Sequence, residues 1–501
     1  MDSLFLLLHG FETAMSWSNL LYCLIGVLLG MVIGILPGLG PVSGTALLIP
    51  ITFGMEPVSA IIMLSGIFYG AMYGGTITSV LMNVPGEAAS VITCIDGYEM
   101  TKQGRAGVAL GVSAIGSFIG GIVAVTALTF VGPTLSKFAL KFGPPEFFAI
   151  MLLGMLMIVA LMGKSLVRGL IAAVLGLLLA MVGQDMVTGV LRFTFGSTEL
   201  MDGLDFTVMA MGLFGISEIL LNAENPAKVT RPEKVKGLFP KREEWGRTLK
   251  AVGRGTGIGM LLGVIPGANS IIASTFSYIL EKKVAKDPSR FGKGAIEGVA
   301  GPETANNAHS GAALIPLFSL GLPSSPTMAV ILGAFIMHGL TPGPALFTKN
   351  PDFVWGLIAS MFIGNVLLLI MNMPLVGMWA KIAMIPYKLL YPIILMVILV
   401  GTYSLNGSLW DVGLMLIFGV IGYILKKLDI PVSAMIVTFI LGSQLETSML
   451  QSLSISTDGF LIFFTQPVSA VIMGIVLIIF AISVFSVVKN KRGNLADDVE
   501  M

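Results

Sequence analysis

One short phrase occurs twice in this chain, and both copies break an apolar helix inside a long uncharged stretch. Gly30-Met31-Val32-Ile33-Gly34-Ile35-Leu36-Pro37-Gly38 returns in the second half of the chain as Gly259-Met260-Leu261-Leu262-Gly263-Val264-Ile265-Pro266-Gly267, with five of nine positions identical and four exchanging one aliphatic residue for another. A Pro-Gly break frees backbone N–H and C=O groups that lipid cannot satisfy. Such a break is tolerated only where protein covers those groups or a watery cavity receives them. Broken helices at corresponding places in two halves of a chain point to a transporter-type binding site.

The setting of the two copies is a membrane. Uncharged runs cover 13–55, 57–86, 106–136, 255–280, 304–348, 353–380, 389–410 and 459–488, most of them longer than the ~20 residues that span a bilayer. Only 11% of the residues are charged, against about 25% in soluble domains. The 61 glycines suit close helix packing where lipid gives little hydrophobic drive. These features predict an all-α polytopic membrane protein of about 12 membrane segments. Cys23 and Cys94 fall in or near apolar stretches and make no disulfide framework. A net charge of +1 without a basic patch gives no reason to expect nucleic acid. The N-terminus lacks the basic region of a secretory signal, so insertion is expected to rest on the first true span.

Basic loops set the orientation. Lys228, Arg231, Lys234, Lys236, Lys241, Arg242, Arg247 and Lys250, then Lys282, Lys283, Lys286, Arg290 and Lys293, and finally Lys489, Lys491 and Arg492, mark cytoplasmic segments. Both flanks of 255–280 are therefore cytoplasmic. Arms of ~13 residues, or ~20 Å of helix, cannot each cross a core of ~30 Å, which predicts a re-entrant hairpin turning at Pro266-Gly267. The first copy has no Lys or Arg at 10–21 or 54–59 and should enter from the other side. Similar copies in opposite orientation predict inverted repeats: the first at 17–220 (hairpin tip near 37–41, second break at 83–86) and the second at 251–490 (tip near 266–270, second break at 321–325). A basic cytoplasmic linker at 221–250 joins them, and 491–501 forms a cytoplasmic tail. The second breaks match as well, at a slightly longer offset: Thr78-Ser79-Val80-Leu81-Met82-Asn83-Val84-Pro85-Gly86 resembles Pro316-Leu317-Phe318-Ser319-Leu320-Gly321-Leu322-Pro323-Ser324. Plain spans are expected at 106–131, 146–163, 166–184, 206–222, 353–375, 382–400, 409–425, 430–448 and 463–488.

Four breaks thus define a candidate substrate site: Gly38, Leu39, Gly40 and Pro41; Asn83, Pro85 and Gly86; Gly267, Asn269 and Ser270; Pro323, Ser324 and Ser325. A helix starting after a break presents free N–H donors and a partial positive charge, an anion site that needs no buried lysine. Ser43, Thr45, Thr76, Thr78 and Ser274 add hydroxyls nearby. The competing reading is that Gly and Pro only kink packed helices. The most polar intramembrane patch is Gly301–Ser310, where Glu303, Asn306 and Asn307 offer hard oxygen ligands for a cation such as Na+; helix capping is the alternative for the asparagines. His309 reads as a buried, ordinarily hydrogen-bonded histidine. Asp96, Glu99, Lys102 and Arg105 read as a solvated loop at the membrane edge, while Glu87 beside Pro85-Gly86 reads either way.

No catalytic residue is expected. Gly163-Lys164-Ser165 resembles the end of a Walker A loop, but Ile158 stands where its first Gly is required. There is no His-Glu-x-x-His or Gly-x-Ser-x-Gly pattern, and three histidines with two cysteines make a transition-metal site improbable. An intramembrane enzyme would need a catalytic pair that the sequence lacks; a passive anion channel would differ in being indifferent to an ion gradient.

Taken in order along the chain, several motifs resemble the large membrane subunit of the tripartite tricarboxylate transporters, the TctA family. They are Gly34-Ile35-Leu36-Pro37-Gly38-Leu39-Gly40-Pro41, Tyr69-Gly70-Ala71-Met72-Tyr73-Gly74-Gly75, Asn83-Val84-Pro85-Gly86, Asp96-Gly97-Tyr98, Glu297-Gly298-Val299-Ala300, Pro302-Glu303-Thr304-Ala305-Asn306-Asn307-Ala308 and Leu340-Thr341-Pro342-Gly343-Pro344. The resemblance spans nearly the whole chain. It implies a secondary carrier of the bacterial inner membrane, coupled to Na+ and without a cofactor, that imports tri- or dicarboxylates such as citrate. It also implies two partners, a small four-helix membrane subunit (TctB-like) and a periplasmic solute-binding protein (TctC-like). Two positions depart from the family pattern: Asn269 stands where Gly is usual, and Pro323-Ser324 where Pro-Gly is usual.

Overall fold

The computed structural model describes residues 2–36, 38–162, 165–185, 188–224, 235, 237–385 and 387–497. Pro37 of the first phrase, Gly163-Lys164, the linker cations Lys228, Arg231, Lys234 and Lys236, and residues 498–501 of the tail lie outside the described residues. The described residues are helical almost throughout; an antiparallel ribbon pairs Gly183–Gln184 with Leu191–Arg192. Among them, nine helices are long and apolar enough to cross a membrane: Trp17–Ile35, Pro57–Met82, Ala106–Ala139, Pro144–Leu161, Phe206–Glu224, Pro351–Ile382, Leu409–Lys427, Val432–Ile455 and Pro467–Phe485. Shorter apolar pieces at Gly40–Thr52, Leu166–Ala180, Pro326–Met337 and Leu390–Asn406 account for the larger number of segments expected from hydropathy. The chain is an all-α polytopic membrane protein.

Several helices outrun their expected ends. The helix expected at 353–375 continues to Ile382 through Pro374, and that expected at 106–131 continues to Ala139 through Pro133. Proline inside a membrane helix is tolerated when neighbouring groups satisfy the carbonyl it leaves free, so Pro did not mark the boundary. The span expected at 382–400 is displaced to Tyr387–Asn406.

Two compact units divide the chain, one holding residues 1–137 and 207–423, the other 138–206 and 424–501. In the smaller unit, Val432–Ile455 packs on Pro144–Met162 and Leu166–Ala180. Gly176 allows this approach: a Cβ there would collide with the Met435 carbonyl and the Thr438 hydroxyl. Arg192 bonds Glu446 in the same unit (Nη1 to Oε1, 2.6 Å).

The larger unit is built on two glycine-faced helix pairs. Trp17–Ile35 lies against Pro57–Met82 so closely that a Cβ at Gly26, Gly30 or Gly34 would strike the carbonyl of Met63, Ile67 or Ala71. The second pair repeats this contact position by position. Trp245–Gly263 lies against Glu297–Ala312, and a Cβ at Gly255, Gly259 or Gly263 would strike the carbonyl of Gly301, Ala305 or His309. The glycines repeat at the offset of the duplicated phrase and the facing carbonyls at the longer offset of the second breaks, both already visible in the sequence. Small residues at every fourth position let backbones approach and gain dispersion contact where lipid supplies no hydrophobic drive. Pro57–Met82 is buried along its whole apolar window, as expected of a helix that is hydrophobic all round.

Candidate functional site

Each phrase becomes a helix, a break and a second helix. Trp17–Ile35 ends at Leu36, Gly38 takes φ +89°, and a new helix runs Gly40–Leu48. Trp245–Gly263 ends at Val264, Gly267 takes φ +83°, and a new helix runs Ser270–Val284. The left-handed conformation is open to Gly without a Cβ penalty, which is why Gly stands at both positions. Asn269 also finds its reason here: its side chain accepts from Ile272 N at 3.3 Å, so it caps the new helix.

In the second copy the arms fold back on each other. Arg254 and Glu281 stand almost equally far before and after Gly267, and Arg254 Nε donates to Glu281 Oε1 at 2.7 Å. The arms are 19 and 15 residues long, longer than the sequence suggested, because helix continues past the uncharged core into turns bearing Arg247, Lys250 and Lys282. In the first copy the return arm has nine residues before a 3-10 turn at Ile49–Thr52.

The second breaks also match in detail. Asn83 (φ 58°) and Gly321 (φ 72°) both turn left-handed at the helix end, and Asn is among the few side chains that tolerate this. Val84 N donates to Thr78 O and Leu322 N to Pro316 O, the same bond at corresponding positions of the two halves.

The four breaks meet in exchanged pairs. Within the second half, Gly267 N donates to Ser324 O at 2.9 Å. Within the first, Gly86 sits against the Gly34 carbonyl. Across the halves, the helix after the first break, Gly40–Leu48, packs on the helix after the fourth, Pro326–Met337. The helix after the second, Val91–Lys102, packs on the helix after the third, Ser270–Val284.

A buried polar cluster joins Pro57–Met82, Val91–Lys102, Ala106–Ala139 and Glu297–Ala312 to Glu87 beside the second break. Glu303 is 1% exposed and accepts from Thr76 at 2.6 Å and from Thr93. Glu87 accepts from Asn306 Nδ2 and from Ala89 N, each at 2.9 Å. Asn307 Nδ2 donates to Ser117 at 2.7 Å and to the Glu303 carbonyl. Among the described residues, Asn306 Oδ1, Asn307 Oδ1 and the Tyr69 and Tyr73 hydroxyls have no hydrogen-bond partner. Unsatisfied buried oxygens are costly, and those of Asn306 and Asn307 stand on adjacent residues of one helix. Helix capping does not describe Asn306 and Asn307, which lie inside Glu297–Ala312.

Several hydroxyls that the sequence offers as anion donors are committed to protein acceptors: Thr45 to Pro41 O, Thr78 to Gly75 O, Ser274 to Pro302 O and Ser324 to Ala313 O. Ser325 caps Met328. His309 pairs through Nε2 with Ala268 O beside the third break.

Other residues escaped the sequence. Asp96, read as a solvated loop residue, is buried. It accepts from the N–H groups of Gly292 (2.9 Å), Gly294 and Ala295 (both 2.8 Å) and from the Tyr278 hydroxyl (2.9 Å). Positive φ at Gly292 and Gly294 turns these N–H groups into an anion nest that a single carboxylate fills. Thr93 lacked any local signal except its place in the apolar run Val91–Ile95. Asn222 lies against the first tip, where a Cβ on Gly38 would stand 2.6 Å from its Oδ1.

Arg105 pairs with Glu244 through two bonds of 2.6 and 2.8 Å. Burial pushes the Glu244 carboxyl up, but the Lys241 N–H and the Arg105 guanidinium outweigh it and hold the group below the usual carboxylate range. Arg105, Glu244, Arg247, Arg290 and Lys293 line one polar cavity of about 340 Å³, so basic residues from both expected cytoplasmic segments gather in one place.

The profile of the tripartite tricarboxylate transporter TctA family matches residues 20–437. An uncharacterized 52.8 kDa protein of Agrobacterium vitis, from the TAR-I ttuC′ 3′ region, is 44% identical over 493 residues, covering 98% of each chain. A second uncharacterized A. vitis protein, from the TAR-II ttuC′ 3′ region, is 43% identical over 234 residues, which is 47% of this chain and 97% of that one. No solved structure matches the chain.

Proposed function

Because the chain belongs to the tripartite tricarboxylate transporter TctA family, we propose that it is the large transmembrane subunit of a binding-protein-dependent secondary carrier that imports a tri- or dicarboxylate with Na+. The observation that carries this reading is the exchange of partners among four helix breaks around a buried cluster of two carboxylates and two asparagines. Breaks of this kind at corresponding places in two halves are how secondary carriers expose backbone dipoles to substrate and ion.

The roles divide by charge. The first turns after the breaks, at Gly38–Ser43, Gly86, Gly267–Ser270 and Pro323–Ser325, offer the positive ends of helix dipoles to the substrate carboxylates. Glu303, Asn306 and Asn307 offer oxygens to Na+. The two halves are inverted repeats, with the first hairpin entering from the periplasmic face and the second from the cytoplasm. Alternating access is movement of one repeat-derived bundle against the other. The substrate leaves the carrier chemically unchanged. A periplasmic binding protein delivers it, a small four-helix subunit completes the membrane complex, and the site lies in the inner membrane with the C-terminus in the cytoplasm.

The test is uptake of a labelled carboxylate panel, citrate included, into proteoliposomes holding this chain and its small subunit, with binding protein outside. Uptake of one acid driven by an inward Na+ gradient supports the reading. Equal downhill flux without the gradient means a channel, and an absence of flux with every acid refutes the carrier.

A further inference from the structure

The cluster contains a carboxylate with no part in the roles above. Glu87 lies one residue past the second break, 5% exposed, on the first half of the chain, whereas Glu303, Asn306 and Asn307 all belong to the second. The two carboxylates touch neighbouring residues of one helix. A Cβ on Gly75 would stand 2.6 Å from Glu87 Cγ, and the next residue, Thr76, donates to Glu303 Oε2 at 2.6 Å. Among the described residues, neither carboxylate makes an ion pair with Lys, Arg or His. The donors that meet Glu87, the Ala89 N–H and the Asn306 amide, are both neutral. A carboxylate at such depth without a countercharge is expensive.

The Asn306 amide shows what relieves it. Its Nδ2 faces Glu87 Oε1 at 2.9 Å while its Oδ1 is buried and unpartnered. Turning the amide end for end exchanges the N–H donor for that oxygen. Glu87 Oε1 and Asn306 Oδ1 then become two hard oxygens on a common point, with Asn307 Oδ1, on the next residue of the helix, also unpartnered. Carboxylate and amide oxygens are the ligands a hard cation takes.

We propose that Glu87 is a ligand of the coupling cation, so that Na+ is bracketed by one carboxylate from each half of the chain. The inference rests on the Na+-coupled reading above. Its consequence is that the cation ties the Asn83–Ser90 segment to Glu297–Ala312 and is released only when the two separate.

The experiment is thermal unfolding of the purified full-length chain with its small subunit in nanodiscs. NaCl is titrated against choline chloride at constant ionic strength for wild type, Glu87→Gln and Glu87→Asp. Wild type should be stabilised by Na+ with a defined half-saturation, because a ligand that binds only the folded state raises its stability. Glu87→Gln should raise that half-saturation at least tenfold, and Glu87→Asp, which keeps the charge but shortens its reach, by less and in the same direction. A structural role would change the melting temperature in choline and leave the half-saturation alone, and that result overturns the proposal while sparing Na+ coupling. If Glu87→Gln does not fold, Glu87→Asp decides, since an unchanged half-saturation in it is equally contrary. A wild-type protein indifferent to Na+ removes the coupling reading and this inference with it. Stabilisation by Ca2+ and not by Na+ overturns the choice of a monovalent cation.

Discussion

Pro57–Met82 and the stretch Glu297–Leu320 hold the same place in the two halves, yet they share a backbone and not a chemistry. Both press a carbonyl row onto a glycine face, both end in a left-handed residue, and both close with the same hydrogen bond at the break. The side chains at corresponding positions differ completely: Ser65, Phe68, Tyr69 and Ala71 in the first match Glu303, Asn306, Asn307 and His309 in the second. The difference also runs the other way, because Asp96, which fills a backbone nest, corresponds to Ala334. Repetition therefore supplies the scaffold, through packing that any small residue at the right spacing satisfies. The charged groups are placed once, where the two copies of the scaffold meet.

The scaffold half of this comparison should break first and equally in both copies. Gly30→Val and Gly259→Val each drive a side chain into a backbone carbonyl of the facing helix and should cost about 3 kcal/mol or more. Loss of monodisperse protein, or a steep fall in melting temperature, would register this. A large effect in one copy and none in the other would deny the duplication.

Asp96→Asn comes next. It keeps the shape but removes the charge that three N–H groups and the Tyr278 hydroxyl address, and should destabilise by about 2 kcal/mol. Denaturant unfolding of the variant against wild type checks it, with Ala334→Ser as the neutral counterpart.

The polar half should sharpen the contrast. Asn306→Ala with Asn307→Ala should raise the Na+ needed for half-maximal uptake about tenfold, equivalent to about 1.4 kcal/mol. Tyr69→Phe, the counterpart of Asn307, should leave it within about twofold. Initial uptake rates across an Na+ series decide between them.

The smallest effect lies at the Arg105–Glu244 pair. The folded-state carboxyl titrates below its ordinary value, so its stabilisation is fully present above the unfolded value of about 4.3 and is lost as pH falls through the lower folded value. Glu244→Gln should flatten the acid side of a stability-versus-pH curve below about pH 4.5 and leave neutral pH almost unchanged.

Much of the scaffold was legible in the sequence because it is written in glycine spacing and Pro-Gly pairs, which are local and repeated. Gly26, Gly30 and Gly34 announce a close contact, and the duplicated phrase fixes where each helix breaks. Helix ends were less legible, since Pro133 and Pro374 sit inside continuous helices. Of the polar cluster, Glu303, Asn306 and Asn307 stood out as polar residues in an apolar run. Thr93 did not, and neither did the burial of Asp96 in its separate nest, because their partners lie in the other half of the chain and neither has an environment until Val91–Lys102 packs on Ser270–Val284. Asn269 illustrates the converse: an unexpected residue at a tip, explained by one hydrogen bond to Ile272.

On the proposed function, ion and carboxylate cross together, Na+ at Glu303, Asn306 and Asn307 and the carboxylate at the helix breaks. Coupling of this kind is reciprocal, so an imposed carboxylate gradient should drive Na+. The direct measurement is entry of radioactive Na+ into proteoliposomes holding the complete complex, with carboxylate and binding protein outside and no Na+ gradient. Carboxylate should accelerate Na+ entry in wild type and in Tyr69→Phe, and should fail to do so when Asn306 and Asn307 are both Ala. Na+ entry indifferent to the carboxylate, or equal in all three proteins, would contradict the account.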